Sequence, residues 1–245
     1  MLIVYTGKFL SILFNMYICS MVYVYPYIKA SNNYDIDLSM QSVLNADPDA
    51  ELWTIGDRVT LADNFKHKKS LFHRGADVTD KILTFAREIG GDFIYMNDDF
   101  FITKNFNPHR TLFNGKLEVN SSHAPHYQEA CQNTKHFLEF NEFNTLNFEC
   151  HQPMLFNSEM LIDLFNAIEW KHHNHFIKSL YGNVYDIPAI PGTNLKLNDP
   201  KISMADKFLN DFGCFSIGEG FKVKTGVNYL NKLIAAAGLP PSAEY

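Results

Sequence analysis

The chain has 245 residues, 46% hydrophobic and 20% charged, which suits one large globular domain and excludes a disordered chain. Its 21 Lys and Arg against 27 Asp and Glu leave a net charge of −6, which argues against broad non-specific binding to nucleic acid. The four cysteines, Cys19, Cys131, Cys150 and Cys214, have no CxxC spacing and read as reduced thiols of a cytoplasmic protein without a zinc site.

Residues 1–25 are almost all apolar, the composition of a signal peptide or a membrane anchor. Asn15 interrupts the run, no small-x-small cleavage site follows, and residues 22–25 alternate as a strand does. We therefore expect residues 1–20 to be an extension, with a membrane anchor as the alternative, and residues 21–245 to form a single domain.

A first strand is predicted over 21–28, followed by a polar loop, Lys29 to Asp35. Ile36, Leu38, Met40, Val43 and Leu44 space as a helix face with Asp35 or Asp37 in its first turn. A second strand is predicted over 51–56, with Asp57 and Arg58 at its tip. Residues 66–75 are the most basic stretch, either an exposed charged loop or a contact for an anionic donor. Asp77 is placed to cap a helix whose stripe is Ile82, Leu83, Phe85, Ala86 and Ile89. After Gly90-Gly91 comes a third buried strand, Phe93 to Met96. Strand, helix, strand in alternation predicts an α/β fold with a mainly parallel central sheet flanked by helices.

That third strand ends in Asn97-Asp98-Asp99. Adjacent carboxylates at a strand end are either a solvated turn or a cation site, since like charges are costly unless neutralised. Hard cations such as Mg²⁺ or Mn²⁺ take one or two carboxylates plus substrate phosphates. Ligands of open α/β sheets bind at such strand tips, which favours the cation.

Beyond residue 101 the expected order is an irregular stretch over 102–122, a polar helix over about 127–140, and a helix over 158–170 ending in Lys171-His172-His173-Asn174-His175. That basic run would suit the negative end of the helix dipole. A short helix over 176–180, a surface loop over 186–204, a strand with a Gly-bracketed turn over 212–220 and a closing helix over 227–237 complete the chain.

Taken together, the βαβ start, the strand ending in Asn97-Asp98-Asp99-Phe100-Phe101, the His151-Gln152-Pro153 run before a helix and the tail over 239–245 resemble the Stealth family of sugar-phosphate transferases. The stretch from Phe215 to Phe221 loosely resembles that family's fourth conserved region. Its Trp-Val-(Asp/Asn)-Gly motif is not present as such; Trp53-Thr54-Ile55-Gly56-Asp57-Arg58 stands at an equivalent strand tip, and Glu219 stands where Asn or Asp is usual. The chain is equally similar to small glycosyltransferase-like proteins of phages and bacteria, which transfer the sugar without its phosphate.

The resemblance implies a GT-A-like nucleotide-sugar transferase core. It also implies a nucleotide-sugar donor and a glycan or other hydroxyl acceptor; the acidic net charge counts against a nucleic acid in that role. Asp98 and Asp99 would hold Mg²⁺ or Mn²⁺, with Glu219 closing the site from a distant strand. Asp99 is counted with the catalytic residues, and His151 is the expected base, because imidazole is matched to neutral pH. Lys29, Ser31 and Asn32 would meet the nucleotide, Arg58 and Arg74 its phosphates, and Asn97 would line the site beside the acidic pair. Without a working site the same fold would be a glycan- or partner-binding protein.

Overall fold

The structure is a computed structural model that describes residues 20–29, 35–66 and 74–235. A five-stranded sheet organises it. Its strands are β1 (Val22–Tyr27), β2 (Glu51–Gly56), β3 (Asp63–Phe65), β4 (Asp92–Tyr95) and β7 (Met154–Asn157), in the order β3-β2-β1-β4-β7. The first four run parallel and β7 pairs antiparallel with β4. Smaller sheets join β5 (Phe100–Ile102) to β10 (Cys214–Ile217) and β9 (Lys196–Leu197), and β6 (Thr111–Phe113) to β8 (Ala189–Pro191). The protein is thus α/β, with a mainly parallel central sheet flanked by helices, as expected.

Side-chain alternation along the strands divides the interior in two. Tyr23, Tyr25 and Tyr27 of β1 and Ile94 of β4 face one core, packed by α1 (Asp35–Ala46), α6 (Ile202–Phe212) and α7 (Lys224–Ala235). Val24, Phe93 and Tyr95 face the other, packed by α2 (Arg74–Glu88), α3 (Pro125–Phe140), α4 (Ser158–Asn166) and α5 (Ile177–Val184). On that second side aromatic rings form a chain. Trp53, Phe85, Phe93, Phe156 and Tyr181 follow one another with centroids 4.7 to 5.9 Å apart, each pair edge to face, a favoured arrangement of ring quadrupoles.

Several elements depart from expectation. The predicted loop over 186–204 holds β8, β9 and the start of α6. Ala205, Phe208 and Leu209 supply α6 with a buried face, and Gly213, at φ 73°, ends it in the left-handed conformation. The loop after β2 contains the edge strand β3, and the strand carrying the acidic pair is therefore the fourth, β4. Helix α4 stops at Asn166, so residues 171–175 lie beyond it and the helix-dipole rationale for that basic run does not hold. The tail over 239–245, most of the basic stretch over 66–75, and residues 1–19 lie outside the described residues. Among the described residues no helix is long and apolar enough to cross a membrane.

Candidate active site

The chain runs from β1 out to β2 and β3 on one side, while β4 lies on the other. Strand order therefore reverses between β1 and β4. In open α/β sheets this is where a crevice forms outside the carboxyl ends of the strands. Here the crevice is a cavity of about 850 Å³, bounded by Tyr27 and Ile28 at the end of β1 and by Asn97, Asp98 and Asp99 after β4. The start of α2 (Gly75, Asp77, Lys81), the start of α3 (His126, Tyr127), Glu149 and His151, residues 174–178 and Lys196 also line it.

Asp99 is anchored from a distant part of the chain. Its Oδ2 accepts hydrogen bonds from Lys196 Nζ at 3.1 Å and Ser216 Oγ at 3.0 Å, and its backbone carbonyl accepts from the N–H of Ile217 at 3.1 Å. Its Oδ1 is buried and has no hydrogen-bond partner among the described residues. Asn97 Oδ1 accepts from the Tyr95 hydroxyl at 2.6 Å. Asp99 is thus held at the strand tip, with one of its carboxylate oxygens left over.

Three ammonium groups line the same cavity. Lys81 and Asp77, both buried, form an ion pair at 2.9 Å one helical turn apart, and Lys81 Nζ also donates to the carbonyl of Tyr27 at 3.3 Å. Lys178 is 5% exposed; it donates to the carbonyl of Gln152 at 3.3 Å, lies 3.9 Å from Glu149 Oε2 and sits over the Phe100 ring. Lys196 is the partner of Asp99. Glu149 is fixed through Oε1, which accepts from the N–H and the hydroxyl of Ser179 at 3.2 and 3.1 Å.

His151 lines the cavity with two of these ammonium groups, Lys178 and Lys196, and has a left-handed backbone conformation, φ 51°, which non-glycine residues rarely adopt. Its Nδ1 lies 2.9 Å from Asn194 Oδ1. Burial first, then the positive charges of Lys178 and Lys196, push the imidazole down to about 3. The expectation of an imidazole poised near neutrality is corrected: this ring is uncharged at physiological pH and is a weak base.

The sequence-selected residues divide accordingly. Asn97, Asp98, Asp99 and His151 meet in one cavity. Glu219 does not line it; it sits in a single 3-10 turn, Glu219–Phe221, with its side chain 89% exposed, and pairs with Lys222 Nζ at 2.6 Å. Lys222 also bonds the buried carboxylate of Asp35 at the start of α1. Burial raises the Asp35 carboxyl, Lys222 opposes the rise, and Asp98 and Glu219 add to it. Glu219 and Asp98 therefore share an electrostatic neighbourhood centred on Asp35. Lys29 and Arg58 are exposed, outside the cavity wall; the Lys29 backbone N–H donates to Asp57 Oδ2 at 2.7 Å. Ser31 and Asn32 lie outside the described residues. Arg74 opens α2, and its neighbour Gly75 reaches the cavity. Among the described residues no group of three His, Cys, Asp or Glu side chains is placed to hold a metal ion.

Sequence reasoning missed Lys81, Lys178, Lys196, Asn194 and Ser216. Two signals were available: Lys81, four residues after Asp77 in the predicted helix, and a lysine between Ile177 and Leu180, inside an apolar stretch; Asn194, Lys196 and Ser216 carry none.

No known family pattern matches the chain, and no curated protein matches it. Solved structures similar to it include the apo-form glycosyltransferase GlyE of Streptococcus pneumoniae TIGR4, at 11% identity and a TM-score of 0.42 over 91% of this chain and 65% of that one. A glycosyltransferase involved in glycosylating the major capsid of PBCV-1 matches at 9% identity and a TM-score of 0.40 over 89% of this chain and 98% of that one. A nucleoside-diphosphate-sugar pyrophosphorylase of Vibrio cholerae RC9 matches at 14% identity and a TM-score of 0.38 over 70% of this chain and 92% of that one. This chain spans just under two thirds of the length of the first of them. Likeness at this level bears on neither activity nor individual residues.

Proposed function

We propose that this protein transfers a sugar from a nucleoside diphosphate sugar to a hydroxyl acceptor, with Mg²⁺ or Mn²⁺ as cofactor. The observation that carries the reading is the pair Asp98-Asp99 in the wall of one cavity, at the switch point of a mainly parallel sheet, with Lys178 and Lys196 in the same wall. A cavity of this size suits a nucleotide sugar. Its wall sets three ammonium groups against four carboxylates, those of Asp77, Asp98, Asp99 and Glu149. A diphosphate adds further negative charge, so a divalent cation entering with it would restore the balance.

The residues present fit such a cation. Asp98 and the unpartnered Oδ1 of Asp99 are hard oxygen donors at the cavity wall, and diphosphate oxygens would supply further ligands. When bound, the cation would offset the charge that builds on the departing diphosphate. Lys196 and Lys178 would draw the diphosphate in as charge-assisted donors. The bond from the anomeric carbon to the phosphate oxygen breaks with its electron pair leaving on the nucleoside diphosphate. The acceptor oxygen forms the new bond, and its proton leaves to solvent.

The test is nucleotide release from a panel of UDP-, GDP- and CMP-sugars, with Mn²⁺ and with chelator. We expect UDP or GDP release that chelation abolishes and Asp99→Ala lowers by at least about 100-fold. Release of UMP from a UDP-sugar would instead identify transfer of the sugar phosphate. No release from any donor, with binding unaffected by Asp99→Ala, would sink the enzyme reading.

A further inference from the structure

The contact between His151 and Asn194 contains more information than a single hydrogen bond. An amide side chain can be turned either way, and an imidazole carries its proton on either nitrogen, so such a pair is usually ambiguous. Here the backbone resolves it. Asn194 Oδ1 also accepts a hydrogen bond from the N–H of Lys196 at 3.0 Å. Turning the amide over would set its NH₂ group against that N–H, donor facing donor. The oxygen therefore stays where it is, and the ring nitrogen 2.9 Å from it, Nδ1, must carry the hydrogen. In the neutral ring this leaves Nε2 with a bare lone pair.

Burial first, and then charge, keep the ring in that form. Lys178 of α5 and Lys196 of β9 both repel a proton from His151. Of the four carboxylates in the cavity wall, Asp77 pairs with Lys81, Asp99 bonds Lys196 and Ser216 through Oδ2, and Glu149 bonds Ser179. Neither ring nitrogen has a carboxylate partner among the described residues.

We propose that Asn194 is a positioning residue that fixes His151 as an uncharged hydrogen-bond acceptor, matched to a sugar hydroxyl and not to a phosphate oxygen. The sugar half of this inference rests on the function proposed above; the tautomer half does not. A bare Nε2 accepts from a hydroxyl and faces a phosphate oxygen lone pair to lone pair. The neighbouring ammonium groups have the opposite preference. The cavity wall would thus sort the two halves of a nucleotide sugar, hydroxyls to His151 and phosphates to Lys178 and Lys196. Residues 194–196 serve both halves, because the same short strap orients His151 through Asn194 and holds Asp99 through Lys196.

Long-range ¹H–¹⁵N spectra of histidine-labelled protein test it, with His151→Asn identifying the signal. We expect the Nδ1–H form and no protonation of His151 between pH 8 and pH 5. Asn194→Asp, nearly isosteric, sets a carboxylate on Nδ1 and, followed down to about pH 3.5, should raise the protonation midpoint by about 1–3 pH units. Asn194→Leu should release the tautomer. An Nε2–H ring in the wild type, a wild-type midpoint above pH 6, or no response in Asn194→Asp would each overturn the proposal. With a donor sugar in hand, Asn194→Leu should lower kcat and leave the chelator response intact. An unchanged kcat in that variant would overturn the role in positioning. Spectra as expected, combined with no nucleotide release by the wild type, would overturn the sugar assignment together with the function it rests on, and leave the tautomer standing.

Discussion

At the scale of single residues, His151 combines a left-handed backbone with a depressed imidazole. Both properties are measurable. Asn tolerates the left-handed region and Val does not, so His151→Val should cost about 1–3 kcal/mol more than His151→Asn in urea unfolding. The ring also makes stability depend on pH. In the unfolded chain His151 takes up a proton as pH falls through 6.5; in the folded protein it does so only near 3. Over that window the unfolded state binds more protons, so stability declines as pH falls. Melting temperatures at pH 7.5, 5.5 and 4.5 should drop more steeply for the wild type than for His151→Asn. Parallel slopes would show that His151 is not the group responsible. Asp98 and Asp99 were legible at this scale because two carboxylates at a strand end are an unusual local pattern. Their partners were not, because Lys196 and Ser216 reach Asp99 from about a hundred residues away.

At the scale of elements, the cavity floor depends on how β1, β2 and α2 meet. Gly56 ends β2 at φ 125°, and a Cβ there would lie 2.1 Å from the Tyr27 carbonyl oxygen. Only glycine fits that contact. The same carbonyl accepts from Lys81, whose Cε would lie 3.1 Å from the added carbon. Gly56→Ala should therefore both destabilise the protein and loosen the end of β1. Lys81→Met should cost about 3–5 kcal/mol, since it removes the ammonium paired with the buried Asp77 carboxylate; a loss below about 1 kcal/mol in urea unfolding would contradict this account. The principal strands and most helices were legible because hydrophobic period sets them locally: β2 falls on the predicted residues, and α1 follows the predicted face. The three-residue strands β3 and β5 and the helix α6 were not. Short strands carry too little pattern to stand out, and α6 begins inside a stretch rich in Pro and Gly.

At the scale of the whole molecule, the sheet separates two cores, and Phe93 lies at the centre of the aromatic chain on one side. It is fully buried, with Phe85 at 4.9 Å and Phe156 at 5.8 Å. Phe93→Ala should cost about 3–5 kcal/mol and lower the urea midpoint without changing the tautomer of His151, which lies beyond the strand end. The division of the chain between scaffold and site has a further consequence for synthesis. All five strands of the main sheet lie before residue 158, whereas Asn194, Lys196 and Ser216, which hold His151 and Asp99, come after residue 190. Ribosomes add about 5–20 residues per second, so the strands emerge several seconds before the groups that order the cavity. During that interval a nascent chain holds the main-sheet strands without the clamps on Asp99 and His151, and a prematurely terminated chain stays in that condition. The sheet is therefore made before the groups that order the cavity.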